Sequence, residues 1–211
     1  SAKYRDTTGP KWDWNWDGLE DDTGAAVGGV RYLYLVRHGQ YDMRPVDHED
    51  HVLTRLGREQ AELTAYRLLD LRLCFDRMVH SSLARARETA SIMNRVLCVK
   101  RVEEDCLLNE DLPCPPDPAR SSRLSNASQS HQLDMAFRKH IHRSSQTKDS
   151  HEIYVFHANA IRYFVCRALQ LPTNAWLRFN LDHASFVLIK IKPDGTVTFG
   201  NLGQSSHLSP D

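Results

Sequence analysis

The sequence predicts a three-layer α/β domain with a mainly parallel sheet that is covered by helices on both faces. Two features of the chain carry this prediction. Short apolar runs, typical of buried parallel strands, alternate with longer segments in which apolar residues recur at helical spacing. The chain has 211 residues, which is long enough for one such domain with a sizeable core.

The predicted elements follow one another in alternating order. They are a strand at 32–36, a helix at 54–71, a strand at 77–80, a helix at 81–94, a mixed stretch at 99–108, a helix at 130–143, a strand at 152–156, a helix from 159 and a hairpin at 185–200. Ser81, Ser82 and Asn159 are candidate N-cap residues because their side chains accept from unpaired backbone N–H groups. The stretch 111–129, rich in proline and then in serine, is predicted to be a long irregular loop.

The composition narrows the classes of function. Lysine and arginine number 27, as do aspartate and glutamate, which gives no general attraction to nucleic acid or to acidic membranes. No stretch approaches the roughly 20 apolar residues of a membrane span, so we expect any membrane anchor in a segment absent from this chain. Five cysteines without a CxxC pair favour reduced thiols and an intracellular compartment.

Residues 1–29 are polar and show no periodicity, which predicts an N-terminal arm before a domain at 30–211. In an extended arm, Trp12, Trp14 and Trp16 would share one face. Three exposed tryptophans present a large apolar area. Either they fold back onto their own domain or they dock onto a neighbouring subunit, and we favour docking.

Polar residues follow the strands at the edge where an open α/β sheet binds its ligands. The first strand ends in Arg37 and His38, and the strand before the last helix ends at His157. Arg85 lies in the first turn of the second helix, and Glu110 follows the mixed stretch. We therefore predict that two histidines, two arginines and a glutamate meet at one edge of the sheet.

These residue types suit phosphoryl transfer. Guanidinium groups match phosphate oxygens in pairs, and helix N-termini near Arg85 and Asn159 add backbone N–H donors for an anion. A neutral imidazole attacks phosphorus with one ring nitrogen while the other donates a hydrogen bond. A carboxylic acid with a raised pKa protonates the leaving oxygen and then activates water.

Each of these residues also has a structural interpretation. Arg85 could be a solvated helix charge, and Arg87 competes with it for the site. Three acids compete with Glu110, namely Glu103, Glu104 and Asp111. Two other histidine pairs, His48 with His51 and His140 with His142, lack carboxylates at a convincing metal-site spacing, so we predict no metal.

Three blocks of sequence resemble the histidine phosphatase (phosphoglycerate mutase-like) superfamily. The segment 35–39 (LVRHG) resembles its LxRHG signature, 53–61 (LTRLGREQA) its LTxxGxxQA helix start, and 81–89 (SSLARARET) its serine- and arginine-containing block. The resemblance extends from about Tyr32 to Phe199, with the blocks in the family's order. It implies a phosphoglycerate mutase-like fold.

Within that superfamily the chain is similar to the mitochondrial serine/threonine protein phosphatases. Residues 37–41 resemble their RHxQY motif, 156–163 their CHANVIRY motif and 12–17 their WDPNWD motif. The resemblance implies hydrolysis of phosphoserine and phosphothreonine in proteins, without metal or organic cofactor. It implies attachment to the outer or inner mitochondrial membrane through a segment N-terminal to this chain. It also implies homo-oligomers assembled through Trp12, Trp14, Trp16 and Asp17.

Carried over residue by residue, the resemblance implies that His38 is the nucleophile and Glu110 the proton donor. His157 is expected to act in catalysis as well as in phosphate binding. The implied phosphate-binding group as a whole is Arg37, Gln40, Arg85, His157 and Ala158.

Two alternatives stay open, and a departure from the family pattern bears on the second of them. Asn109-Glu110-Asp111 replaces the more usual REG, which removes a glycine beside the acid and adds a negative charge. The first alternative is a small-molecule phosphatase or mutase that uses the same residues. The second is a weakly active oligomeric scaffold assembled through the tryptophan arm.

Overall fold

The computed structural model describes residues 11–19, 28–44, 51–119, 124, 128–200 and 203–208. The strands are Arg31–Arg37 (β1), Arg77–His80 (β2), Val102–Glu104 (β3), Ser150–Phe156 (β4), Phe186–Ile191 (β5) and Val197–Phe199 (β6). The helices with described bounds are Arg55–Leu69 (α1), Ala84–Leu97 (α2), His131–His140 (α3) and Ala158–Ala168 (α4). Short 3-10 helices cover Cys106–Leu108 and Thr173–Arg178. The predicted alternation is confirmed. The candidate His48 and most of the segment 120–127 lie outside the described residues.

The described strands form one sheet in the order β3-β2-β4-β1-β5-β6. Four of them, β3, β2, β4 and β1, run parallel, while β5 is antiparallel to β1 and β6 is antiparallel to β5. In the register of the two central strands, Arg37 lies opposite Phe156. His38 and His157 follow these two residues and therefore emerge side by side at one edge of the sheet.

The side chains of β1 alternate between two buried clusters, one on each face of the sheet. Leu33 and Leu35 belong to a cluster with side chains of α3 and α4. Tyr34 and Val36 belong to a cluster with side chains of α1 and α2. Two helices thus cover each face, which confirms the predicted three-layer α/β architecture.

The helix N-termini correct the predicted caps. Thr54 caps α1, since its hydroxyl accepts from the backbone N–H of Gly57 at 3.0 Å. The prediction for Ser81 and Ser82 is wrong, because Leu83 occupies the N-cap of α2 and makes no side-chain cap bond. The prediction for Asn159 is also wrong, because this residue already lies inside the first turn of α4.

The tryptophan segment is a turn, so the predicted alternation of an extended arm is wrong. Trp16 packs on its own domain, with its ring 6.1 Å from that of Phe137 and its indole N–H donating to the Gly195 carbonyl at 2.9 Å. Trp12 is half-buried against the same core cluster. Trp14 points outward and is 52 % exposed. The three rings therefore do not share one face.

Asp17 fastens this segment to the domain. Its carboxylate is buried and accepts from the backbone N–H of Arg143 at 2.7 Å and from the Nε of Arg143 at 3.0 Å. Burial alone would raise the pKa of Asp17, but the hydrogen bonds and charge of Arg143 hold it below its ordinary value. The segment is therefore anchored by a buried ion pair as well as by two tryptophan rings.

All five cysteines carry free thiols, as the sequence predicts. In the described part of the chain, none of the helices combines the length and the apolar character that crossing a bilayer requires.

Candidate active site

Side chains from the ends of β1 and β4 and from the start of α2 meet around one point. The rings of His38 and His157 have centroids 5.1 Å apart, and Nε of Arg85 lies 3.3 Å from Nε2 of His38. A carboxylate oxygen of Glu110 lies 3.5 Å from Nδ1 of His157 and 4.0 Å from a guanidinium nitrogen of Arg85. The structure thus brings together groups from four distant stretches of chain.

The protonation of the His38 ring follows from its backbone contact. Its Nδ1 lies 2.8 Å from the carbonyl oxygen of Gly39, which can only accept, so Nδ1 carries the hydrogen. The lone pair of the neutral ring is therefore on Nε2, the atom that faces Arg85. Burial lowers the pKa of His38 well below its ordinary value, and the neighbouring His157, Arg85 and Arg37 lower it further. His38 is accordingly a neutral imidazole at pH 7, and its Nε2 lone pair accepts from the Nε–H of Arg85 at 3.3 Å.

Gly39 brings helix α1 close to this ring. A Cβ at Gly39 would lie 2.3 Å from the carbonyl oxygen of Gly57, and one at Gly57 would lie 1.9 Å from that of Gln40. Only glycines permit this approach of the two backbones.

The two arginines are held largely by neutral groups, and Arg85 also lies 4.0 Å from a carboxylate oxygen of Glu110. The guanidinium of Arg85 lies over the ring of Tyr41 at 4.9 Å. Arg37 donates to the carbonyl of Leu181 at 2.6 Å and lies 2.8 Å from Nε2 of His183. Its buried Nε has no hydrogen-bond partner among the described residues. Burial lowers the pKa of both guanidinium groups, so an anion placed between them would be strongly favoured.

His157 and Glu110 form the opposite wall of the site. Nε2 of the fully buried His157 lies 2.8 Å from the hydroxyl of Ser81, which leaves Nδ1 towards Glu110. Burial lowers the pKa of His157 well below its ordinary value, with contributions from Arg85 and Arg37. Burial raises the pKa of Glu110, although the same arginines oppose it. A raised pKa favours the protonated carboxyl, which is the form that can donate a proton.

This arrangement coincides with a sequence match over most of the chain. The profile of the histidine phosphatase superfamily (branch 1) matches residues 33–112 and 118–200. The chain belongs to the histidine phosphatase superfamily.

Individual relatives agree with this assignment. The mitochondrial serine/threonine-protein phosphatase PGAM5 of Rattus norvegicus is 40% identical, over 95% of this chain and 79% of its own length. The human protein of the same name is 45% identical over 86% of this chain, which spans just under two thirds (65%) of that relative. A phosphoglycerate mutase from Plasmodium falciparum is 26% identical with a TM-score of 0.64, covering 87% of this chain and 97% of that one.

Gln40 and Ala158 are the two remaining predicted phosphate ligands of this histidine phosphatase, and each lies close in sequence to one of the site histidines, in a different part of the fold. The side-chain oxygen of Gln40 accepts from the hydroxyl of Thr54 at 2.8 Å, so this side chain joins the exit of β1 to the start of α1. Ala158 is the first residue of α4, where backbone N–H groups lack partners within the helix. Their phosphate contacts, like the catalytic roles of the other site residues, stay predictions.

The residues that competed with Arg85 and Glu110 in the sequence make other contacts in the structure. Arg87 forms an exposed pair with Glu104 at 3.0 Å, and Glu103 pairs with Arg101. Asp111 turns its carboxylate to the hydroxyl of Ser130, at the N-terminus of α3. The additional charge beside Glu110 is therefore bound at the N-terminus of α3.

Sequence reasoning missed two aromatic neighbours of the nucleophile. The ring of Tyr41 lies 5.1 Å from that of His38, and the ring of His183 lies 5.9 Å away. Tyr41 follows the histidine motif closely, so its proximity could have been predicted. His183 precedes β5, and it reaches this edge only because β5 runs antiparallel to β1, which short-range sequence patterns do not reveal.

The site also contains one group of potential metal ligands. Ligand atoms of His38, Glu110 and His157 lie within 4.8 Å of one another. The neighbouring guanidinium groups of Arg37 and Arg85 would repel a dication and attract an anion. The geometry therefore suits a phosphate group better than a metal ion.

Proposed function

We propose that this chain is a protein-serine/threonine phosphatase that works through a phosphohistidine on His38. The observation that carries the proposal is the Nε2 lone pair of His38, which lies 3.3 Å from Nε of the buried Arg85 and across from a carboxyl with a raised pKa. The rat and human relatives are named serine/threonine-protein phosphatases. The protein is mitochondrial, in agreement with those names.

In the first step, the phosphate dianion of the substrate lies between Arg37, Arg85 and His157, at the N-terminus of α4. Nε2 of His38 attacks phosphorus while the bond from phosphorus to the serine or threonine oxygen breaks. Glu110 gives its proton to that oxygen. The ring becomes cationic as the N–P bond forms, and the hydrogen bond from Nδ1 to the Gly39 carbonyl stabilises it.

In the second step, the Glu110 carboxylate takes a proton from water. The water oxygen attacks phosphorus, the N–P bond breaks and inorganic phosphate leaves. His38 returns to the neutral form with its hydrogen on Nδ1, and Glu110 is again protonated. The arginine charges stabilise the phosphoryl oxygens in both steps, which is the main electrostatic contribution expected in phosphoryl transfer.

Turnover of a phosphoserine peptide tests this proposal. His38→Ala is expected to remove activity, because the variant lacks the imidazole nitrogen that attacks phosphorus. The matched control is His131→Ala, since His131 is an exposed histidine at the start of α3. Full activity in His38→Ala, or an equal loss in both variants, would contradict the assignment.

A small-molecule phosphatase or mutase is the second candidate, favoured by the similarity to the Plasmodium falciparum phosphoglycerate mutase. The comparison of kcat/KM for a phosphoserine peptide and for phosphoglycerate separates the two. We expect the peptide to be preferred. A preference for phosphoglycerate, or phosphate transfer from it to another molecule in place of water, would support the second candidate.

We also propose that the protein assembles into homo-oligomers through its tryptophan segment, with Trp14 as the main contact. Trp12 and Trp16 pack on their own domain, whereas Trp14 and Leu19 are 52 % and 53 % exposed. Trp14→Ala is expected to lower the mass in solution without unfolding the domain, as measured by light scattering and circular dichroism. The control is Leu171→Ala, an exposed apolar residue outside the segment. An unchanged mass in Trp14→Ala would contradict assembly through this segment.

A further inference from the structure

Ser81 lies behind His157 and contacts two polar side chains. Its hydroxyl oxygen is 2.8 Å from Nε2 of His157 and 2.8 Å from Oδ1 of Asn109. The backbone N–H of Leu83 donates to the same oxygen at 3.2 Å. Ser81 and His157 are completely buried, so the protein itself decides which atom donates in each contact.

The orientation of the Asn109 amide follows from its contact with Ser82. The backbone N–H of Ser82 can only donate, and it lies 3.0 Å from the side-chain atom of Asn109. That atom must therefore be the carbonyl oxygen and not the amide nitrogen. Since a carbonyl oxygen only accepts, the hydroxyl of Ser81 must donate its hydrogen to Asn109.

The remaining contacts then fix the hydrogen on His157. A serine hydroxyl has one hydrogen and two acceptor positions. The hydrogen goes to Asn109 and one acceptor position takes the N–H of Leu83, so the last position faces Nε2 of His157. Nε2 must be the donor. The neutral ring consequently presents a bare Nδ1 to Glu110 and to the phosphate site.

We propose that Asn109 is a positioning residue that sets the tautomer of His157 through Ser81, and thereby makes oxyanion binding take up a proton. This inference rests on the proposed function, because it assigns the anion to the site beside His38. A bare Nδ1 repels a phosphate oxygen, whereas a protonated Nδ1 donates a hydrogen bond to it. The charged and titratable groups that face His157 are Arg37, His38, Arg85 and Glu110.

Sulfate binding across the pH range tests the proton uptake. Sulfate is a suitable probe because it stays a dianion where phosphate changes its own charge. In the wild-type protein its affinity is expected to fall as pH rises, by up to about tenfold per pH unit. In Asn109→Ala the Ser81 hydrogen is released to donate to Nε2, so the neutral ring can carry its hydrogen on Nδ1 and the fall becomes shallower. Glu110 is present in both proteins, so the difference between their slopes of sulfate affinity against pH reports the protonation of His157.

Nitrogen NMR of the histidine rings gives a direct readout. The wild-type protein should show a protonated Nε2 and a bare Nδ1 at His157, and Asn109→Ala should lose this pattern. Asn109→Asp keeps an acceptor oxygen and should restore the pattern. Ser82→Ala removes a neighbouring hydroxyl that also contacts Asn109 at 2.9 Å, but keeps the Ser81 contact, and should match the wild type.

Asn109→Ala with the wild-type tautomer and the wild-type sulfate slope would overturn the proposal. If Asn109→Ala does not fold, Ser81→Ala gives the same test, because it removes the acceptor that requires hydrogen on Nε2. An unchanged tautomer in that variant would also overturn it. The expected NMR pattern in a protein that hydrolyses no phosphopeptide would support the role of Asn109 and refute the proposed function.

Discussion

The two ends of the central strands carry charged clusters with the same residue types and different spacing. At the N-terminal ends, Arg31 and Arg77 hold Glu152, with nitrogens of Arg31 lying 2.9 and 2.8 Å from its two carboxylate oxygens. At the C-terminal ends, Glu110 lies 4.0 Å from the nearest guanidinium nitrogen of Arg85. The first cluster is a closed ion-pair network, and the second leaves room for another anion.

The spacing decides the direction in which the pKa of each carboxyl departs from its ordinary value. Burial alone would raise the pKa of both the Glu152 and the Glu110 carboxyl. At Glu152, hydrogen bonds and charge from Arg31 and Arg77 overcome burial and lower the pKa to about 2. At Glu110, burial prevails over the looser arginines and raises the pKa. One fold thus builds a fixed ion pair and a candidate proton donor from the same residue types, as expected when coulombic attraction weakens with distance.

Among variants of the two charged clusters, the largest expected effect is that of Glu110→Gln. Loss of the proton donor should lower kcat on a phosphoserine peptide by about 10²- to 10⁴-fold. Phosphorylation of the enzyme by p-nitrophenyl phosphate should persist, since nitrophenolate leaves without a proton, and should appear as a single-turnover burst. A wild-type steady-state rate in Glu110→Gln would show that this carboxyl is as passive as Glu152.

The next test makes the same substitution at one arginine of each cluster. Arg85→Gln should lower kcat/KM by about 10²- to 10³-fold, through the loss of a donor to the phosphoryl oxygens, with little change in thermal stability. Arg31→Gln should keep the activity and lower the free energy of unfolding by about 3 kcal/mol, because Glu152 loses a buried partner. If both variants lose mainly stability, or both lose mainly activity, the distinction between a catalytic Arg85 and a structural Arg31 is contradicted.

Acid unfolding isolates the closed cluster. The folded-state pKa of Glu152 is depressed to about 2, so its stabilisation is fully present above about pH 4.5 and is lost as pH falls towards 2. The shift corresponds to about 3 kcal/mol of unfolding free energy. Glu152→Gln should lower stability at neutral pH and flatten its dependence between pH 4.5 and 2 in urea titrations. If the unfolding free energy of Glu152→Gln still falls between pH 4.5 and 2 as in the wild type, Glu152 is not the group responsible for that fall.

The smallest expected effect concerns Asp111, the acidic residue that follows Glu110 in the sequence. Asp111→Asn should leave kcat within about twofold and lower the unfolding free energy by about 1 kcal/mol, because the carboxylate binds Ser130 at a helix N-terminus. Steady-state kinetics and thermal unfolding measure the two quantities. A large gain in activity would mean that Asp111 restrains Glu110.

The strands and the convergence of the site could be predicted because both depend on short-range patterns. An apolar run fixes a buried strand, and parallel strands bring their ends to one edge, which places His38 beside His157. Contacts made across long stretches of sequence could not be predicted in this way. Ser81 and Ser82 turn away from the helix cap because Asn109 accepts from them, 28 and 27 residues later in the chain. Trp16 leaves the expected face because Gly195 binds its indole.

Direct detection of the covalent intermediate tests the role of His38 most closely. The protein should be mixed with a phosphoserine peptide, quenched within the first turnover and analysed by mass spectrometry and ³¹P NMR. We expect an acid-labile, base-stable phosphate on Nε2 of His38, with more of it in Glu110→Gln. Phosphate on another residue, or single-turnover release of phosphate with no phosphorylated protein at any time, would contradict the proposed mechanism.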